Sequence, residues 1–214
     1  MNKKKLIADT QLFVKSFLEH ESSGHDWWHI ERVRTMAMSI GKDEDVDLFV
    51  VEMAALLHDM DDWKLSDDNT ESQRSKKWLE DCALDKDLTE KICRVIEGVS
   101  FKGAQVSTST DDLECRVVQD ADRLDAIGAI GIARTFAYGG SRSRVIYDPN
   151  IPPVMHIDFE DYKKNNTHTI NHFYEKLLLL KDQMQTKSGK SLAEQRHQFM
   201  VNYLEQFFME WNGL

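Results

Sequence analysis

Val51-Glu52-Met53-Ala54-Ala55-Leu56-Leu57-His58-Asp59-Met60-Asp61-Asp62-Trp63-Lys64 opens on a mostly apolar run and closes on acids. Leu48, Val51 and Ala55 recur at spacings of three and four, the period of one helix face, and lead onto His58 with Asp59 beside it. The stretch reads as a buried helix that delivers an imidazole and a carboxylate at its end. Neighbouring side chains diverge on a regular helix, so His58 and Asp59 serve one ion only if both turn toward it at the terminus. A His-Asp dipeptide alone is weak evidence, and the acids equally suit a solvated helix end.

The same helical spacing recurs in most of the chain, with no sustained period-two alternation. The predicted fold is all-α, a single-domain helical bundle over residues 1–214. Helices are expected near 2–21, 26–41, 46–60, 69–83, 87–98, 112–126, 127–138, 166–184 and 190–211. A core that carries the His-Asp pair is placed at about 20–140 and a C-terminal helical pair at about 166–212. Ten Gly and three Pro among 214 residues are roughly half of average usage, so turns are few. All three prolines lie between Pro149 and Pro153. Ser100–Asp111 reads as a polar loop, and Gly139–Asn165 as a longer one of the kind that often carries function.

Thirty-seven acids against 27 bases give a net charge of −10 and a pI of about 5.3. That argues against a general nucleic-acid or anionic-membrane binder, because both need a positive field. No apolar run approaches the ~20 residues of a membrane span, so a cytoplasmic protein is expected. Cys82, Cys93 and Cys115 are odd in number and lack CxxC spacing, which predicts reduced, packing thiols.

Two further clusters add ligand-type side chains. In Gly24-His25-Asp26-Trp27-Trp28-His29-Ile30-Glu31-Arg32-Val33, Asp26 is placed to cap a helix, and the stripe His29, Val33, Met36, Ile40 points the imidazole inward. A core histidine bonded to a carbonyl explains His29 alone equally well. In Val117-Val118-Gln119-Asp120-Ala121-Asp122-Arg123-Leu124-Asp125, Asp122 shares a face with Cys115, Val118 and Asp125. An acid on an apolar face needs a cation, either a metal or a buried arginine such as Arg123 or Arg134. Asp120 is expected to face outward.

His29, then His58-Asp59, then Asp122 resembles the HD-domain metal-dependent phosphohydrolase superfamily. The texts GHDWWHIERV, ALLHDMDDWK and QDADRLDAIGAIGIARTFAYGG, with NHFYEKLLLLKD and RHQFM near the end, are similar to its YpgQ/YedJ-type bacterial branch over nearly the whole chain. The resemblance implies that His29, His58, Asp59 and Asp122 bind one divalent metal in a helical bundle. Two nitrogens and two oxygens independently suit an octahedral ion with positions left for water and substrate. The resemblance to this branch implies Mn²⁺, with Mg²⁺, Co²⁺, Ni²⁺ or Fe²⁺ as alternatives. No histidine lies between Asp59 and Asp122, whereas binuclear members of the superfamily carry extra histidines there, so a single ion and hydrolysis are expected over oxygen chemistry.

The HDxxDxK text of the branch implies that Asp62 positions or deprotonates the attacking water and that Lys64 supports the leaving group. An ordinary surface ion pair is the alternative. For substrate binding, Arg134, the Gly139-Gly140 pair, His25, and His172 with Lys176 four residues on are the candidates. Arg123 is expected to hold structure, Arg196 and His197 to lie on the helix surface, and Phe199, Met200, Tyr203, Phe207, Phe208 and Trp211 to form a core stripe. The activity implied is hydrolysis of small phosphorylated molecules, most of all nucleoside triphosphates to monophosphate and pyrophosphate. A phosphate-releasing nucleotidase, a non-catalytic nucleotide or metal sensor, and a di-iron oxygenase are the competing readings, and a homodimer is left open.

Overall fold

A computed structural model describes residues 2–18, 26–61, 73–99, 110–154 and 167–214. Among these, nine α-helices and one 3₁₀ segment are present and no strand. They are α1 (Lys3–Leu18), α2 (Trp27–Gly41), α3 (Leu48–Leu57), α4 (Arg74–Asp81), α5 (Lys86–Val99), α6 (Leu113–Asp125), α7 (Gly128–Ser141), α8 (Asn171–Glu175), the 3₁₀ segment Leu177–Gln183, and α9 (Lys187–Trp211). The all-α expectation holds. The described residues up to Asp122 form one compact unit and those from Arg123 onward a second.

The first unit is built around α3. Eight of its ten residues are buried, so apart from Glu52 it is apolar nearly all round, and it packs against α1, α2 and α5. Asp47 caps it by accepting from the Phe49 amide at 2.9 Å. Arg34 on α2 bonds Glu52 on α3 at 2.6 Å, and Phe13 stacks on Trp78 at 4.1 Å between ring centres. Helix α6 is buried from Val117 through Ala121, five consecutive positions, so this stretch has no solvent face. The outward placement of Asp120 is therefore corrected: the residue is fully buried. Gly98 lets α6 approach α5, since a β-carbon there would stand 2.4 Å from Cys115 Sγ.

Two helices close with a left-handed residue that is not glycine. Past α4, Ala83 has φ 52°, its amide donates to Glu80 O at 2.9 Å, and Leu84 N donates to Leu79 O at 3.2 Å. Past α7, Ser143 has φ 55°, with Ser143 N on Gly140 O at 3.1 Å and Arg144 N on Gly139 O at 2.9 Å. Both are Schellman caps, and the buried Leu79 and Leu84 supply the accompanying apolar contact in the first.

In the second unit α9 packs on α7 and on the 3₁₀ segment. The helix expected over 166–184 is broken: α8 stops at Glu175, and Lys176 leaves helical geometry at φ −143° and ψ −59°. The Leu177-Leu178-Leu179-Leu180 run then winds as 3₁₀, whose three-residue turn buries Leu177 and Leu180 together. Gly139 and Gly140, expected to open a loop, are helical instead, because α7 continues to Ser141. Arg196 is not a surface residue either. Its stem packs on Gly128, where φ is +77°, and its guanidinium donates to the Leu124 carbonyl. His197 Nδ1 is likewise buried. The α9 stripe is core only in part: Met200 is buried, Tyr147 meets Phe207, Phe208 and Trp211 edge to face, and Phe199 is 52% exposed.

Candidate metal centre

Asp26 starts α2 by accepting from the His29 amide at 2.8 Å, which sets His29 in the first turn on the same buried side as Val33 and Ile40. Its side chain is 1% exposed. His58 follows α3 directly and keeps helical backbone angles, so its ring continues the buried face. His58 Nδ1 lies 2.9 Å from the Ala55 carbonyl. A carbonyl only accepts, so Nδ1 carries the proton and Nε2 presents its lone pair.

The two imidazole Nε2 atoms converge on the carboxylates. Asp59 stands 3.3 Å from His29 Nε2 through Oδ2 and 3.5 Å from His58 Nε2 through Oδ1. Asp122 Oδ1 lies 3.4 Å from the first nitrogen and 3.9 Å from the second. Ligand atoms of His29, His58 and Asp59 all fall within 4.8 Å of one another. The Asp122 side chain is one-third exposed, which opens that side of the group.

The residues fit a divalent ion. His58 Nε2 is buried and makes no hydrogen bond among the described residues. Charge-assisted N–H···O contacts close to about 2.7–2.9 Å, whereas these separations are longer. Adjacent ligands on an ion with bonds of about 2.1 Å stand roughly 3 Å or more apart. No cysteine joins the group, so it is not a closed zinc site of the thiolate kind.

Residues 27–127 match the family described as the HD domain. YpgQ of Bacillus subtilis is 36% identical over 216 residues, covering 100% of this chain and 98% of its own. The chain belongs to the HD-domain family. Its HD fold is similar along its full length to the crystal structure of an HD-superfamily hydrolase from Bacillus thuringiensis, with 43% identity, TM-score 0.79 and 100% of both chains covered. The crystal structure of Bacillus subtilis YpgQ in complex with ADP has TM-score 0.78 and 34% identity, covering 98% of this chain and 97% of that one. This HD protein is thus a hydrolase of a metal-dependent phosphohydrolase superfamily.

Three residues singled out in the sequence, His25, Asp62 and Lys64, lie outside the described residues of the HD chain. Arg134 pairs with the buried Asp125, which accounts for much of its charge locally. Arg123 donates to the Gln183 carbonyl at 2.8 Å, the structural role expected of it. Gly139 is buried where a β-carbon would meet Thr169 Oγ1 at 2.4 Å, while Gly140 is exposed with open space above it. His172 is half-buried; desolvation of its ring, with Lys176 and Arg144 nearby, pushes its pKa down to about 3, so it is neutral near pH 7.

Sequence reading missed the frame behind the turn that carries His58 and Asp59. Asp61 accepts from the Arg74 amide at 2.8 Å and the Ser75 amide at 3.3 Å, which caps α4. Ser75 Oγ donates to the Leu57 carbonyl at 3.2 Å and Arg74 to the Met60 carbonyl at 3.2 Å. These bonds tie the turn that follows α3 to α4. Asp61 was visible only as one acid among three. Its spacing of thirteen residues to the start of the helix it caps gives no local signal.

Proposed function

We propose that this HD-domain hydrolase acts on nucleotides, splitting nucleoside triphosphates to monophosphate and pyrophosphate with one Mn²⁺ held by His29, His58, Asp59 and Asp122. The observation that carries the reading is the convergence of Asp59 and Asp122 oxygens, 3.3 to 3.9 Å away, on two buried imidazole nitrogens. Support for a nucleotide comes from the ADP complex of the similar YpgQ.

A bound divalent ion supplies Lewis acidity, lowering the pKa of a ligated water and polarising a phosphoryl oxygen. The Ala55 carbonyl fixes the His58 tautomer and keeps its Nε2 lone pair toward the site. Asp59 and Asp122 bring negative charge, so the four side chains together balance a dication. Asp62 is assigned to orient the attacking water and accept its proton, because Asp59 is committed to the ion. Lys64 is assigned to offset charge on the leaving pyrophosphate. His25, Arg134, Gly139, Gly140, His172 and Lys176 are assigned to substrate binding. The chain is taken to work as one domain in the cytoplasm.

The test is a nucleotide panel with purified protein and Mn²⁺, with products separated by ion exchange. Monophosphate and pyrophosphate from triphosphates are expected. Inorganic phosphate released from monophosphates, with triphosphates untouched, would select a nucleotidase. Binding without turnover of any nucleotide would select a sensor.

A further inference from the structure

Three of the five arginines of the second unit are committed to oxygens within it. Arg123, Arg134 and Arg196 each bond an oxygen of their own unit: the Gln183 carbonyl, the Asp125 carboxylate and the Leu124 carbonyl. Arg144 differs. Its Nε is buried and has no hydrogen-bond partner among the described residues, and no carboxylate there pairs with it. The side chain is half-buried, but a buried N–H left without an acceptor is costly, so this nitrogen points to a missing acceptor.

The backbone holds Arg144 firmly. The Schellman cap of α7 anchors its amide on Gly139 O at 2.9 Å. The next two residues are tied to the start of α8, with Thr169 N on Val145 O at 3.0 Å and Ile170 N on Ile146 O at 3.1 Å. Gly139 admits Thr169 into this corner, since any β-carbon would collide with its hydroxyl. The corner thereby brings Arg144 near His172 and Lys176, both of which follow Thr169 within two turns. Burial of the His172 ring is the main reason its pKa is depressed, and the charges of Lys176 and Arg144 lower it further, which places both cations within electrostatic reach of it. Arg142 and Arg144 also flank the Tyr138 ring, 5.5 and 5.8 Å from its centre. The neighbouring acid, Glu175, accepts from the Val154 amide at 3.0 Å.

We propose that Arg144, with Lys176 and the neutral ring of His172, forms an anion site in the second unit that takes a phosphoryl group. A guanidinium fork, an ammonium and an imidazole N–H on three separate side chains offer several donors, which suits the several acceptor oxygens of a phosphoryl group. The proposal deepens the assignment of His172 and Lys176 to substrate and rests on that reading only for the source of the phosphate. That source is either the phosphate tail of a nucleotide or a free phosphate or pyrophosphate ion.

Titration calorimetry with pyrophosphate on chelator-treated protein tests it, and because no turnover is read, its failure is separate from failure of the hydrolysis assay. Wild type is expected to bind pyrophosphate, and Arg144→Gln to bind at least tenfold more weakly. Lys176→Gln should lose several-fold. Arg144→Lys keeps the charge but lacks Nε, so with the fold intact by circular dichroism it should also lose several-fold; this variant decides the matter if Arg144→Gln does not fold. Competition by ADP identifies a nucleotide-borne phosphate, and its absence identifies the free ion; either outcome supports the site. No binding by wild type, or equal affinity in wild type and the folded Arg144 variants, overturns it.

Discussion

Gly98→Ala places a methyl group where the structure has no room. A β-carbon at Gly98 would lie 2.4 Å from Cys115 Sγ, and Cys115 is 2% exposed, so the thiol has little space to retreat. Gln119 also donates to the Gly98 carbonyl at 2.6 Å, which holds α6 against α5 at this point. Overpacking of this kind costs about 1–3 kcal/mol, while alanine over glycine in a helix returns up to about 1 kcal/mol. The net expectation is a loss of about 1–2 kcal/mol, read as a lower urea midpoint at unchanged m-value. Because α6 carries Asp122, Mn²⁺ affinity should fall as well. Cys115→Ala removes the obstructing sulfur, so the double variant should be more stable than the sum of the singles by about 1–2 kcal/mol. Neutral or stabilising Gly98→Ala, or strict additivity with Cys115→Ala, would refute the reasoning.

Ser143→Gly and Ala83→Gly, at φ 55° and 52°, should each stabilise the fold by about 0.5–1 kcal/mol in thermal or urea melts. Arg134→Met leaves the Asp125 carboxylate, 5% exposed, without its guanidinium; a stability loss of about 2–4 kcal/mol in urea is expected, the lower part of the range reflecting an Arg134 side chain 26% exposed. His172 has its pKa pushed down to about 3 from 6.5, so the unfolded chain takes up its proton first and acid favours unfolding. Stability tied to this group is full above about pH 6.5 and is lost as pH falls toward 3, at up to about 1.4 kcal/mol per pH unit. His172→Asn should flatten the urea-derived stability profile in that window.

Most helices were legible because they carry a one-sided stripe. His29 with Val33 and Ile40 follows the period on α2 and is buried as expected, while α3, buried at eight of its ten positions, was legible from its apolar run. Where the stripe fails as a signal, so does the reading. Helix α6 is buried on every side from Val117 to Ala121, so periodicity cannot say which acid faces in, and Asp120 was misplaced. Four successive leucines satisfy an α-helix and a 3₁₀ turn alike, and only the geometry at Lys176 separates α8 from the segment after it. Arg196 looks like a surface cation in any helical wheel; the partner that buries it is a carbonyl seventy-two residues earlier. The residues that converge on the candidate metal centre were legible as types in order, since buried histidines and acids are chemically conspicuous. The frame that holds them, Asp61, Arg74 and Ser75, was not, because capping across a long connection leaves no pattern in the text.

Metal content per chain is the most direct measurement. Elemental analysis of protein equilibrated with Mn²⁺ and desalted should give one ion per chain for wild type, and close to none for His58→Ala, whose fold is checked by circular dichroism. Two ions per chain, or an unchanged content in a folded His58→Ala, would contradict the account of a single ion held between His29, His58, Asp59 and Asp122.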